Sequence, residues 1–554
     1  MAEEIRLKID GSEYTYEKGT TYQKISRDFQ KECRWMIIAV KVDHKLKELD
    51  EKADRDAQVE FVTVHDPVGN MIYRRTAVFI MYKALCDVLP EEDARSLVVQ
   101  YSLDEGYYCE LKSRKEVPQA LLDKVSARMH EIVDAKTDIV KHNAEKRDAI
   151  RVFEENGLHE KARTMYYRID SRINYYTIED TPDYLYGFMA PDASYIQKFE
   201  LISYDEGFVI QLPLAQEPDQ MPTFDPPHKM FGSLKSATRW SEKRGVMTVA
   251  DLNKAIADGD ILDLMLVQEA MQEKNIAEIA GDIVKSGKRV ILIAGPSSSG
   301  KTTFSHRLSI QLQVLGLRPH PIPLDSYYLD HSQTPRDENG NYDFETIRAL
   351  DIGKLNEDLQ GLIAGREVEI PVYDFTSGKR KENGIPLKID PDEVLVLEGI
   401  HALNDELTNT LPRDRKYKIY ISALTWLNLD HHSRISTSDG RLIRRLCRDA
   451  RTRGASAEET LSMWQSVRHG EDQNIFPFQD QCDAIFNSAL IYEISVLKQY
   501  AEPLLFSVTP DKPEYGEAMR LLKFLNYFLT YSGDDVPKNS ILREFIGGSC
   551  FDVV

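Results

Sequence analysis

Short apolar runs alternate with helical stretches through the second half of the chain. The runs fall at 289–294, 320–324, 393–397, 416–422 and 504–508. They are continuous and rich in branched residues, the pattern of strands buried on both faces. With helical stretches between them they predict a mainly parallel sheet covered by helices on both sides. Ligands of such sheets sit beyond the carboxyl ends of the strands. The first half reads differently. Ile5-Arg6-Leu7-Lys8-Ile9 alternates as a strand, Asp10-Gly11 supplies a hairpin turn, and Glu13 to Tyr16 returns. Thr20 and Thr21 introduce a short helix through Phe29, and Met36 to Val42 and Val59 to Val64 give two further strands. Residues 117–156 are helical by periodicity and composition. Residues 213–227 hold too many prolines for a regular element and read as a linker or a strap laid over a surface. Residues 247–287 read as helices, with Ile261, Leu262, Leu264, Met265, Leu266 and Ala270 supplying an apolar face, followed by Ile276, Ile279, Ile283 and Val284.

This pattern, in a chain of 554 residues, divides as 1–68, 69–213, a linker and helical bridge over 214–287, an α/β domain over 288–510, and a helical segment and tail over 511–554. The fold class is multidomain, α+β followed by α/β. A formal net charge of -20 argues against broad nucleic-acid affinity, while leaving room for a local basic patch. The six cysteines, at 33, 86, 109, 447, 482 and 550, form no close ligand pair and read as free thiols in a reducing, cytoplasmic compartment. No run approaches the length of a membrane span, and Met1-Ala2-Glu3-Glu4-Ile5-Arg6 is not a signal peptide.

The chemistry centres on Gly295-Pro296-Ser297-Ser298-Ser299-Gly300-Lys301-Thr302-Thr303, between an apolar strand and a helix. Strand, glycine-rich turn, Gly-Lys-Thr and helix form a phosphate-binding loop in its required context. Its glycines let backbone N–H groups converge on phosphate oxygens, and the helix start adds unsatisfied donors. Lys301 can reach terminal phosphates and the Thr302 hydroxyl can hold Mg2+. Asp325, just past the second strand, could accept the proton of an attacking hydroxyl or hold Mg2+ through water, or could simply cap a turn. Asp343 could bind vicinal hydroxyls. Tyr373-Asp374-Phe375 suits a flat ligand such as a nucleobase, and equally a hairpin core. Glu398 ends an apolar strand where Mg2+-coordinating carboxylates sit, and Gly399 after it allows close backbone approach. Finally, Arg441, Arg444, Arg445, Arg448 and Arg451 share one helix face opposite Leu442, Ile443, Leu446 and Ala450. A lid clamping ATP phosphates, a nucleic-acid surface and a solvated face all fit that stripe.

Five motifs in order resemble the uridine kinase and phosphoribulokinase family of P-loop kinases over roughly 288–510. They are the phosphate loop, Asp325-Ser326-Tyr327-Tyr328, Asn341-Tyr342-Asp343, Pro371-Val372-Tyr373-Asp374-Phe375 and the arginine helix. The resemblance implies an ATP-dependent nucleoside kinase. Gly295, Ser297, Ser298, Ser299, Gly300, Lys301, Thr302 and Thr303 would hold ATP, and Thr302, Asp325 and Glu398 would surround Mg2+. Asp325 would be the general base on the ribose 5′-hydroxyl, aided by Lys301, Arg445, Arg448 and Arg453. Tyr328, Asp343, Tyr373, Phe375, Arg445 and Arg453 would line the acceptor, with Asp343 on the 2′- and 3′-hydroxyls. Two departures stand out. The base-reading histidine expected five positions after Tyr373 is Gly378, and the arginine expected after Arg453-Gly454 is Ala455.

The strand, turn, strand, helix, strand order of residues 1–68 is that of a ubiquitin-like β-grasp. Asp10-Gly11-Ser12, Lys18-Gly19-Thr20-Thr21, Val40-Lys41-Val42 and Val64-His65-Asp66-Pro67-Val68-Gly69 resemble the TGS domain of threonyl-tRNA synthetases. Residues 73–112, 117–156 and 182–213 resemble the synthetase's second, editing domain. The expected His-x-x-x-His pair aligns with Arg75 and Phe79, and the Cys-x-x-x-His pair falls in Tyr184-Leu185-Tyr186-Gly187-Phe188-Met189, which has neither residue. The resemblance therefore implies an editing-type shape without editing chemistry. The whole looks like bacterial proteins that fuse such an amino half to a uridine-kinase-like carboxyl half. The expected partners are a nucleoside, RNA or a small ligand sensed by the amino half, and a second copy of the chain, with no membrane. The alternatives are a kinase for another small hydroxylated metabolite, motivated by Gly378, and a nucleotide-regulated RNA-binding or translation-associated protein.

Overall fold

The computed structural model describes residues 3–336, 340, 342–374 and 377–552. The carboxyl half is built on a five-stranded parallel sheet in the order Arg318–Pro323, Glu393–Glu398, Val290–Ala294, Lys416–Ser422, Ala484–Asn487. Val290–Ala294 and Lys416–Ser422 are buried at every position, the first by its unbroken apolar pattern and the second with Lys416 and Lys418 both paired to Asp405. Val290–Ala294, the first of these five strands in chain order, lies at the centre of the sheet. The chain steps to one side for the next two strands and to the other for the last two, so the loop after Ala294 opens at the point where strand order reverses.

Glycine permits two close approaches at this edge. A Cβ on Gly295 would lie 2.0 Å from the Ile421 carbonyl oxygen, and one on Gly399 would lie 2.7 Å from Leu324 Cβ. One expected strand is corrected. Residues 504–508 are the end of the helix Glu493–Phe506 and the turn after it, and the fifth strand is Ala484–Asn487. Leu505 continues the buried helical face of Ile494, Leu497 and Ala501, so its apolar neighbours had only the look of a strand.

The amino half starts with a five-stranded sheet, ordered Ser12–Glu17, Glu4–Ile9, Ala57–Thr63, Ile37–Val42, Lys45–Glu48, with Glu4–Ile9 and Ala57–Thr63 parallel. Thr21 caps the helix Tyr22–Phe29, whose Tyr22, Ile25 and Phe29 pack on Ile5, Leu7 and Ile9. A second sheet, Glu200–Tyr204, Gly207–Gln211, Gly106–Leu111, Leu97–Leu103, and a third, Thr181–Asp183, Arg172–Ile178, Ile139–Glu145, accompany the long helix Pro67–Val88. Ile139–Glu145 interrupts the stretch expected to be wholly helical. It pairs along its length with Arg172–Ile178, a tertiary pairing that overrides local propensity. Helices Val249–Asp258 and Ile261–Ser286 then lead to the parallel sheet. Among the described residues no helix is long and apolar enough to cross a membrane.

The halves are joined by buried charge. Lys161 Nζ lies 2.8 Å from Asp183 and 2.7 Å from Asp430, and donates to the Tyr184 carbonyl at 2.7 Å. His432 Nδ1 sits 2.8 Å from the other Asp183 oxygen. Burial acts to raise the Asp183 pKa, but Lys161 and His432 hold it below the usual carboxylate value. Val99 N–H donates to the His431 carbonyl and Asn428 donates back to the Val99 carbonyl, both at 2.8 Å. A Lys161→Met substitution strands two buried carboxylates. It is expected to destabilise the joint by about 3–5 kcal/mol, seen as a lower urea midpoint, whereas replacing exposed Lys124 should leave the midpoint in place.

Candidate active site

The phosphate loop is fixed from behind. Arg441 Nη1 donates to the Ser297 carbonyl at 3.1 Å, Arg444 Nη1 to the Ser298 carbonyl at 3.3 Å, and Ser488 Oγ to the Ser299 carbonyl at 2.5 Å. A trans peptide points its N–H opposite to its carbonyl, so the N–H groups of Ser298, Ser299 and Gly300 turn to the opposite side. Ser298 and Gly300 take φ values of 60° and 87°, the left-handed conformations that fold the loop into a cradle. Lys301 Nζ donates to the Gly295 carbonyl at 3.0 Å and the Pro296 carbonyl at 3.3 Å, and Thr302 Oγ1 donates to Glu398 Oε1 at 3.1 Å.

Arg441 and Arg444 therefore do not belong to an open basic stripe. They are 1% and 0% exposed, and pair with Glu471 and Glu493. The arginines left for ligands gather around Asp449. Arg445 Nε lies 3.1 Å from its carboxylate, Arg448 Nη2 2.8 Å and Arg453 Nη1 3.5 Å. Arg445 also donates to Ser297 Oγ at 2.9 Å, which carries this fan to the mouth of the loop.

On the acceptor side, Asp325 is exposed to solvent although protein atoms crowd its carboxyl. Desolvation raises its carboxyl above the usual value, and Lys301, Arg453 and Arg448 pull it back. Beyond it lies a cluster of rings. Tyr328 meets Phe344 at 5.6 Å and Tyr373 at 5.7 Å, and His331 stacks on Tyr342 at 4.7 Å. Asp343 is half-buried and its Oδ1 accepts from Glu345 N–H at 3.1 Å. Phe375 and Asn341 lie outside the described residues.

His331 answers the departure at Gly378. Gly378 has φ 65°, and a Cβ there would lie 2.3 Å from His331 Cε1 and Nδ1. The imidazole thus fills the space a side chain at 378 would need. Sequence reading missed His331 because nothing local links residues 331 and 378. It also missed Glu345, whose only signal is its place two residues past Asp343. Burial and the nearby Glu471 push Glu345 up to about 7, against Arg445 and Lys301. Burial likewise raises Glu398 to about 7, helped by Asp325 and Glu544 and opposed by Lys301.

Among the described residues no three His, Cys, Asp or Glu side chains converge as a metal site. The oxygen donors of Thr302 and Glu398 suit a hard cation that completes its shell with phosphate and water.

Both raised carboxyls bind protons in the folded chain that they release in the unfolded one. Their contribution to stability is present below 4.5 and is lost as pH rises through about 7. Glu345→Gln and Glu398→Gln should each flatten the fall in the urea midpoint across that window, by on the order of 3 kcal/mol at most. An unchanged slope in both variants would contradict the raised values.

Residues 290–495 match the family model described as Phosphoribulokinase / Uridine kinase family. The chain is 32% identical over 195 residues to a uridine kinase of Halobacterium salinarum, covering 35% of this chain and 77% of that protein. It is 34% identical over 197 residues to a uridine kinase of Bacillus velezensis, covering 35% of this chain and 84% of that one. A solved structure described as a possible uridine kinase from Bacillus stearothermophilus is 17% identical, with 39% of this chain and 98% of that one covered and a TM-score of 0.27. With the phosphate loop on the central strand of a parallel sheet, this similarity shows that the chain belongs, through residues 290–495, to the phosphoribulokinase and uridine kinase family of P-loop kinases.

Proposed function

We propose that the carboxyl half transfers the terminal phosphoryl group of ATP to the 5′-hydroxyl of a nucleoside. The observation that carries this reading is the position of Asp325, in the field of Lys301, Arg448 and Arg453 and between the phosphate loop and the ring cluster. Gly295, Ser297, Ser298, Ser299, Gly300 and Thr303 frame the phosphate seat. Lys301 exchanges its loop carbonyls for phosphate oxygens. Asp325 accepts the proton of the attacking hydroxyl, and its raised pKa makes it the stronger base. Arg445, Arg448 and Arg453 bear on the charge that spreads over the transferring group. Thr302, Glu398 and Asp325 would hold Mg2+, which when bound neutralises phosphate charge. Asp343 binds the ribose 2′- and 3′-hydroxyls, Tyr328, Tyr373 and Phe375 flank the base, and His331 takes over its reading from the side chain absent at Gly378.

The amino half is inferred to be a TGS-like β-grasp followed by an editing-type domain without its chemistry. Its support is the sheet order around a single helix and the fate of Arg75. The Arg75 guanidinium donates to the Phe188 carbonyl at 2.6 Å and packs on Gly187, so one position aligned with the first expected pair touches the segment aligned with the second. Mischarged threonyl-type tRNA should therefore survive incubation with the protein, and its deacylation would overturn this inference.

The kinase reading is tested by ADP release from Mg·ATP against individual nucleosides and other hydroxylated metabolites. One nucleoside should respond. Asp325→Ala should lower kcat by about 10²–10⁴-fold. His331→Ala should raise KM for the nucleoside, by about tenfold, and leave KM for ATP in place. A flat panel would sink the reading.

A further inference from the structure

The end of the chain lies on the phosphate loop. Ser540, Ile541, Leu542 and Phe545 are buried, and Phe545 packs beneath the Arg444 guanidinium at 4.9 Å. Ile541 covers Gly300, where a Cβ would lie 2.5 Å from Ile541 Cγ2. Arg451 Nη2 donates to the Glu544 carbonyl at 2.7 Å. Farther on, the Phe551 ring stacks on His306 at 5.3 Å with an interplanar angle of 5°. The segment thus runs along the first turns of the helix Lys301–Val314.

Glu544 makes the decisive contact. Its Oε2 accepts from the Thr303 backbone N–H at 3.3 Å and from Thr303 Oγ1 at 2.8 Å. Thr303 is the third residue of its helix, so this N–H has no partner within the helix. It belongs to the set of donors with which such a loop holds phosphate. A carboxylate there offers what a phosphate oxygen offers, a negative charge and an acceptor, to the same two donors. Two anions at one such seat repel each other, so carboxylate and phosphate occupy it alternately. The exchange needs only the Glu544 side chain to swing away, because Ile541, Leu542 and Phe545 anchor the segment independently.

We propose that Glu544 is an internal competitor for nucleotide phosphate, held on the loop by the C-terminal segment and displaced when nucleotide binds. The proposal rests on the nucleotide-binding reading of the loop and adds to it a gate encoded in the same chain. The apparent affinity for nucleotide is then the intrinsic affinity reduced by the fraction of molecules whose seat is uncovered. Charge at position 544 sets that fraction.

The test is calorimetric titration of the full-length protein with ADP, using Glu544→Gln, Glu544→Ala and Lys301→Ala beside the unaltered chain. Glu544→Gln preserves the shape of the side chain and removes the charge, so folding is retained even if the alanine variant is impaired. Both Glu544 variants should bind ADP about tenfold more tightly. Equal or weaker binding in the glutamine variant, with binding still lost in Lys301→Ala, would overturn the gate and leave the nucleotide site standing. Absence of ADP binding in every form would overturn both.

Discussion

Two buried arginines set the shape of the phosphate loop, and much of the molecule serves to place them. Arg441 and Arg444 take the carbonyls of Ser297 and Ser298, which turns the following N–H groups to the opposite side. Their charges are held by Glu471, at the end of one long helix, and Glu493, at the start of another. Breaking such a pair by removing one partner leaves a buried charge, at a cost of about 3–5 kcal/mol. The pairs therefore matter less as net stabilisation than as a means of fixing one loop geometry.

The arginine helix is in turn placed by the other half of the chain. Asp439, in its first turn, receives both Arg520 Nη atoms at 2.8 Å, and Tyr186 of the amino half donates to the Arg520 carbonyl at 2.7 Å. The segment leading into that helix carries Asp430 and His432, which Lys161 and Asp183 hold in a dry cluster. A path of packed charged groups thus runs from the amino half to the loop.

Residues whose position follows from strand context were readable in the chain. Lys301, Thr302, Asp325 and Glu398 each sit at the carboxyl end of an apolar run, where parallel sheets gather chemistry, and the structure brings them to one edge. Residues whose role depends on distant neighbours were not readable. His331 is defined by the absent side chain at Gly378, Asp449 by the three arginines around it, and Glu544 by a tail that returns to Thr303. The arginine stripe was legible as a helix face, but periodicity could not tell that Arg441 and Arg444 point into the protein, because their partners lie on other helices. Ile139–Glu145 and Ala484–Asn487 became strands through pairing with remote segments, and no local pattern marks that pairing.

In the proposed reaction the phosphate loop, Asp325 and the ring cluster act as one site on a 5′-hydroxyl. This is tested most directly by phosphorus NMR of the products from Mg·ATP and the best-responding nucleoside, set against the 5′-deoxy form of the same nucleoside. A nucleoside 5′-monophosphate is expected from the first and no phosphorylated product from the second. Equal release of inorganic phosphate in both, with no phosphorylated nucleoside in either, would contradict it.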